Sequence, residues 1–220
     1  MTIKTILFDL DGTLIDSNEL IEKSFEYTFR QFGYTFSREE ILQFNGPPLT
    51  ETFTKINPEL ADEMLQTYRN HNMENHDEYV KLFPYVKETL DILKDYGIKM
   101  GVVSAKVHDG VRQGLEVTGI APYFDTVIGV DDVENSKPHP EPVLKGMSDL
   151  KANTESSLMV GDNYHDIEAG KNAGIKTAAV AWSLKGVEYL LQFDPTYIVH
   201  HMSDLLSIVG VEKDAKNEAF

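Results

Sequence analysis

Two aspartates stand two residues apart in the segment Asp9-Leu10-Asp11-Gly12-Thr13, directly after the apolar run Ile3 to Phe8. In a continuing strand both side chains would point the same way; with Gly12 turning the chain, both can face one pocket. Carboxylates this close repel, which favours either a cation between them or one staying protonated. Both outcomes suit phosphoryl transfer, in which one carboxylate attacks phosphorus and the other gives a proton to the leaving oxygen. The competing reading is an acidic turn in which Asp11 caps the next helix. Asp-x-Asp-Gly alone does not choose between them.

Further candidates lie downstream. Gly161-Asp162-Asn163 follows another strand-like run, and Asp166 stands four residues beyond Asp162. With a helix beginning near Tyr164, both carboxylates would face the pocket of Asp9. Magnesium takes oxygen ligands and keeps several waters, so Asp9, Asp162 and a backbone carbonyl could hold it. Asp162 and Asp166 could equally cap that helix and offset its dipole. Ser104 closes the run Ile98 to Val103 and opens a helix, where its hydroxyl and nearby N–H groups could bind a phosphate oxygen or serve as an ordinary cap. Lys137, in Ser136-Lys137-Pro138-His139-Pro140, could neutralise the phosphoryl group and the nucleophile, or be a solvated lysine. Arg69 could meet two phosphate oxygens at once or pair with a glutamate on a helix surface. His71 could donate to a phosphate or lie exposed, and His76 is expected to be exposed. His108, His139 and His165 lack the i, i+3 or i, i+4 partners of a histidine metal site. Trp182, after a strand, is expected to pack.

The elements that must position these residues alternate. Strand-like runs at Ile3 to Phe8, Ile98 to Val103, Thr126 to Val130, Ser157 to Val160 and Thr177 to Ala181 are separated by helical patterns. Those patterns cover Val86 to Tyr96, Val107 to Thr118, Glu141 to Leu150 and His165 to Ala173. This predicts an α/β fold with a doubly wound, mainly parallel sheet. Ligands of such sheets sit at the carboxyl ends of the strands, where Asp9, Ser104 and Asp162 all fall. After the first strand the pattern changes. Asn18 to Phe32 is an amphipathic helix, Ser37 and Glu40 fit a capping box, Gly46-Pro47-Pro48 breaks the chain, and Pro58 to about Val80 is again helical. This stretch is too long for a βα connection. The expected organisation is a helical domain, residues 16–82, inserted into a core of residues 1–15 and 83–220. The polar end, Glu212 to Phe220, is expected to be frayed.

Composition narrows the function. Hydrophobic residues make up 41% and charged residues 25%, as in globular proteins. There is no cysteine, hence no disulfide and no thiolate metal site. With no secretory pattern and no apolar stretch of about 20 residues, the expectation is a cytoplasmic protein without a membrane partner. The net charge of −16 argues against nucleic-acid binding. An anionic substrate would therefore need local positive charge against an unfavourable overall field.

Together these segments resemble the four motifs of the haloacid dehalogenase superfamily, over essentially the whole chain. The motifs are Asp9-Leu10-Asp11-Gly12-Thr13, Ser104, Lys137 and Gly161-Asp162 with Asp166. The resemblance implies a Rossmann-like core, Asp9 as a nucleophile forming an aspartyl-phosphate, and Asp11 as general acid and then base. It implies a Mg2+ ion on Asp9, the Asp11 carbonyl and Asp162, supported by Asp166. Ser104 and Lys137 would hold the transferring group, with Gly12 and Thr13 in the same motif. The inserted helices resemble the helical cap of one subclass. Gly46-Pro47-Pro48-Leu49, Tyr68-Arg69-Asn70-His71-Asn72 and His76-Asp77 are similar to the caps of its bacterial pyrophosphatases. The expected substrate is a small phosphorylated molecule, pyrophosphate first. Phosphoglycolate or a small sugar phosphate is the alternative, and a phosphomutase a more distant one.

Overall fold

The computed structural model of the protein describes residues 2–45 and 47–211. Gly46 of the Gly-Pro-Pro break and the polar end 212–220 lie outside the described residues. In chain order the elements are β1 (Thr5–Phe8), β2 (Ile15–Asp16), α1 (Asn18–Gln31), α2 (Arg38–Gln43), α3 (Leu49–Ile56), α4 (Ala61–Tyr79) and β3 (Lys81–Leu82). There follow α5 (Val86–Asp95), β4 (Lys99–Val103), α6 (His108–Val117), β5 (Thr126–Ile128), α7 (Glu141–Asp149), β6 (Ser157–Gly161) and α8 (Tyr164–Asn172). The last are β7 (Lys176–Val180), α9 (Val187–Leu191), β8 (Tyr197–Val199) and α10 (Asp204–Ile208). The chain forms two compact units, Asp16–Lys81 and the segments flanking it. Leu82 goes with the flanking segments, one residue before the 82/83 division read from the sequence.

In the flanking unit the described residues form a six-stranded sheet, ordered β5-β4-β1-β6-β7-β8, with every pair parallel. β1 is central: Thr5 is level with Lys99 of β4 on one side and Ser157 of β6 on the other. All four β1 residues are buried. A strand covered by helices on both faces has no solvent side, so its sequence runs apolar instead of alternating. On one face Leu7, Val103 and Met159 pack with Val143 and Met147 of α7 and Ala169 of α8.

Two details differ from the sequence expectation. The strand expected over Thr126 to Val130 stops at Ile128, because the Gly129 N–H turns to Asp132 Oδ2 at 2.8 Å and Val130–Asp132 becomes a 3₁₀ turn. The sheet also gains β8, whose three residues are too few to carry a periodic pattern.

The inserted unit has its own core. Phe25 and Phe29 of α1 meet Phe53 of α3 and Met64 and Tyr68 of α4, with the Phe25 and Tyr68 ring centroids 4.7 Å apart. The expected capping box opens α2: the Ser37 N–H donates to Glu40 Oε2 at 2.7 Å and the Glu40 N–H to Ser37 Oγ at 3.3 Å. α3 begins immediately after Pro48 and buries Thr52 and Phe53. His76 is fully buried, contrary to expectation. It continues the series Met64, Tyr68, Asn72 at four-residue spacing, which keeps one helix face inward. Among the described residues no helix is long and apolar enough to cross a membrane.

Candidate active site

Asp9 sits one residue past β1, and its N–H donates to Val160 O at 2.8 Å, keeping it level with β6. The chain then turns tightly. The N–H groups of Thr13, Leu14 and Ile15 converge on Leu10 O at 3.3, 2.9 and 3.1 Å, and that of Gly12 reaches Ile15 O at 2.9 Å. Gly12 has φ +82°, the left-handed region that glycine enters at no steric cost. A Cβ at this position would lie 2.5 Å from Asp162 Oδ2. The glycine therefore makes the turn and admits the second carboxylate. Thr13 is fully buried, and its Oγ1 has no hydrogen-bond partner among the described residues. With both N–H groups used within the turn, Gly12 and Thr13 shape the loop and present no spare backbone donor.

Lys137 reaches this edge from the loop before α7 and is 5% exposed. Its Nζ donates to Asp9 Oδ1 at 2.8 Å, Asp166 Oδ1 at 2.6 Å and Val103 O at 2.8 Å. An ammonium has three donors, so all of them are engaged. Burial alone would lower the Lys137 pKa, but the charges of Asp166 and Asp9 and their hydrogen bonds raise it instead. This lysine is a fixed cation. Asp166 is held from its other side as well, where Oδ2 accepts the Asn163 N–H at 3.0 Å in the box that opens α8. The capping and site readings of Asp166 are thus both satisfied by one side chain.

Asp9, Asp162 and Asp166 each offer a carboxylate oxygen, all within 4.8 Å of one another. Burial pushes the Asp9 pKa up from 3.8 to about 7, opposed by Lys137 and assisted by Asp166 and Asp11. Asp162 is likewise raised, first by burial and then by the charges of Asp9 and Asp166. The cluster carries more negative charge than its surroundings neutralise. With Asp11 it presents four carboxylates; among the described residues Lys137 and Lys106 form ion pairs with them, and the ammonium of Lys185 feels the charge of Asp162. That imbalance and the all-oxygen donor set fit a hard divalent cation. Asp166 has both oxygens engaged, which leaves the carboxylates of Asp9 and Asp162 as the better-placed ligands, with Asp166 behind them.

Ser104 follows β4 and is buried; its N–H donates to Ile128 O at 2.9 Å, and its Oγ accepts from the Lys106 N–H at 3.1 Å. The Ser104 hydroxyl hydrogen remains available to donate. Lys106, not singled out from the sequence, brings Nζ to 3.5 Å from Asp11 Oδ1. Ser183 was missed too: it lies past the end of β7, and its Oγ donates to Asp162 O at 2.6 Å. Position after a strand end, the signal that marked Ser104, was there for both. Arg69 belongs to α4 of the inserted unit and makes no ion pair, with a glutamate or otherwise, among the described residues. In the same unit His71 Nδ1 lies 3.1 Å from Ser24 Oγ, and its ring stacks on Tyr27 at 4.5 Å between centroids. Trp182 packs against Phe83 at 5.7 Å.

A parallel sheet whose strand ends gather a carboxylate cluster around a buried lysine fits an α/β enzyme of phosphoryl transfer. The sequence profile described as haloacid dehalogenase-like hydrolase matches residues 6–180. "Pyrophosphatase PpaX" of Oceanobacillus iheyensis is 54% identical over 210 residues, 96% of this chain and 98% of that protein. The protein of the same name from Bacillus velezensis is 52% identical over 211 residues, again 96% and 98%. A solved haloacid dehalogenase-like hydrolase from Streptococcus pneumoniae superposes with a TM-score of 0.84 at 26% identity, covering 93% of this chain and 97% of that one. The chain belongs to the haloacid dehalogenase-like hydrolase family, and it is an enzyme, a phosphohydrolase.

Proposed function

We propose that the protein hydrolyses inorganic pyrophosphate to two phosphates with magnesium, through an aspartyl-phosphate on Asp9. The observation that carries the chemistry is the clamping of Asp9 Oδ1 by a lysine with no donor left over. The carboxylate is thereby held in place, with its second oxygen outside that clamp. What supports the substrate is the name of the relatives that match nearly the whole chain at about half identity.

Asp9 attacks phosphorus through that second oxygen, and the bond to the leaving oxygen breaks with its electron pair. Asp11 gives its proton to that oxygen, and the first phosphate departs. Asp11 then takes a proton from water as the water attacks the phosphorus of the aspartyl-phosphate. The P–O bond to Asp9 breaks, the second phosphate leaves, and both aspartates regain their starting states. Ser104 Oγ–H donates to an equatorial oxygen of the transferring group. When bound on Asp9 and Asp162, magnesium supplies charge neutralisation for the carboxylates and the phosphoryl oxygens. Lys137 answers locally the adverse field of a chain with net charge −16. Residues 16–81 would serve as a cap that excludes water and reads the substrate. The absence of cysteine suits a reducing, cytoplasmic setting.

The test is phosphate release with magnesium from pyrophosphate, phosphoglycolate and small sugar phosphates, compared as kcat/KM. Pyrophosphate is expected to lead. A higher value for phosphoglycolate would reject the substrate while leaving the class intact, and turnover surviving Asp9→Asn would reject the mechanism.

A further inference from the structure

Lys137 has no donor to spare, yet expulsion of a charged leaving group calls for a cation that has. Lys106 is such a cation. Its Nζ stands 3.5 Å from Asp11 Oδ1, beyond the ~2.7–2.9 Å of a charge-assisted hydrogen bond. Asp11 thus attracts the ammonium without committing its three donors. The side chain is only 17% exposed. At the backbone, its N–H donates to Ser104 Oγ at 3.1 Å and its carbonyl accepts the Val130 N–H at 2.9 Å. Farther out, the stem lies on α6 over Gly110. A Cβ on Gly110 would come 3.1, 3.2 and 3.4 Å from Lys106 Cε, Cγ and Cδ. Gly110 is absent from the positive-φ glycines, so its backbone does not require glycine. The lysine occupies the room that the missing side chain leaves.

We infer that Lys106 is the leaving-group residue of this enzyme, its ammonium meeting fixed negative charge on the departing group, and that Gly110 provides the groove that seats it. This rests on the phosphohydrolase reading with Asp11 as the acid. The oxygen that accepts the Asp11 proton must come within about 3 Å of that carboxylate. An ammonium already beside the same carboxylate needs no large movement to meet the rest of the leaving group. On pyrophosphate, the electron pair of the broken P–O bond passes to an oxygen protonated by Asp11, and the remaining phosphate charge falls to Lys106.

The experiment uses Lys106→Met and Gly110→Ala in the full chain with magnesium. Substrates are pyrophosphate and phosphoglycolate, whose leaving groups carry fixed charge, and glycerol phosphate, whose leaving group carries none. Lys106→Met is expected to lower kcat/KM about 100-fold on the charged pair and less than about threefold on glycerol phosphate. Gly110→Ala should reproduce the pattern at about three- to tenfold with an unchanged or higher Tm, since alanine is the better helix former. Equal losses on all three substrates would overturn the inference, for the lysine would then serve Asp11 or the fold. Wild-type rates from Gly110→Ala would overturn the groove. Turnover unaffected by Asp9→Asn would reject the underlying reading instead, so the two failures are distinguishable.

Discussion

Asp9→Asn should destroy turnover and at the same time stabilise the metal-free protein, in proportion to pH. Asp9 carries a pKa of about 7 in the folded chain against 3.8 as a free side chain. A raised carboxylate pKa means the native state holds a proton that the unfolded state has released. Stability from this group is therefore full below about pH 4 and is lost as pH rises through about 7. Three pH units at about 1.4 kcal/mol each amount to about 4 kcal/mol at pH 8. The amide of the variant keeps an oxygen for Lys137 but carries no charge, so it escapes that loss. For a domain of this size about 4 kcal/mol corresponds to a Tm gain of at most about 8–16 °C. The assay is thermal melting of wild type and variant in EDTA at pH 4.5 and pH 8. The gain should be near zero at the lower pH and large at the higher. A variant that melts lower than wild type at pH 8, or by the same margin at both values, refutes the account of the site as charge-frustrated.

Three further outcomes follow from the same geometry. Magnesium should raise the Tm of the wild type more at pH 8 than at pH 5, and EDTA should reverse the gain; a shift independent of pH would place the ion elsewhere. Lys137→Met leaves Asp9 and Asp166 buried without their cation, and chemical denaturation at pH 8 should show a loss of about 3–5 kcal/mol. A loss below about 1 kcal/mol would mean the lysine is not the counter-charge described. Gly12→Ala combines a strained left-handed backbone with a methyl pressed on Asp162, and should lower stability by more than about 1 kcal/mol. Phosphate release should fall with it, and normal activity would show that Asp162 has room to retreat.

The strand-end logic reached Asp9, Ser104 and Asp162 from sequence because a parallel sheet collects polar residues at one edge. It could not reach the state of Lys137. That the loop lysine is buried, and that its third donor goes to the Val103 carbonyl, depends on packing between segments 34 residues apart. Lys106 shares the strand-end signal of Ser104, but a lysine at such a position is ordinarily solvated, and its meaning comes from the groove over Gly110. His76 was misjudged for the opposite reason. Its residue type suggested solvent, while its four-residue spacing from Tyr68 and Asn72 already placed it on the inner face of α4. α3 and β8 were too short for periodicity to outweigh the neighbouring turn signals.

The paired strands β2 and β3 have a consequence for how this chain can change. They mark where residues 16–81 leave and rejoin the sheet-bearing unit. Because the two ends are hydrogen-bonded neighbours, closing the excursion requires little more entropy whether it is long or short, the penalty growing only with the logarithm of length. The aromatic core within it is self-contained. The insertion is thus excisable in principle. It could be traded, lengthened or retuned by mutation while the strand ends that hold Asp9 and Asp162 keep their register. Chemistry and selectivity can drift at different rates in one polypeptide.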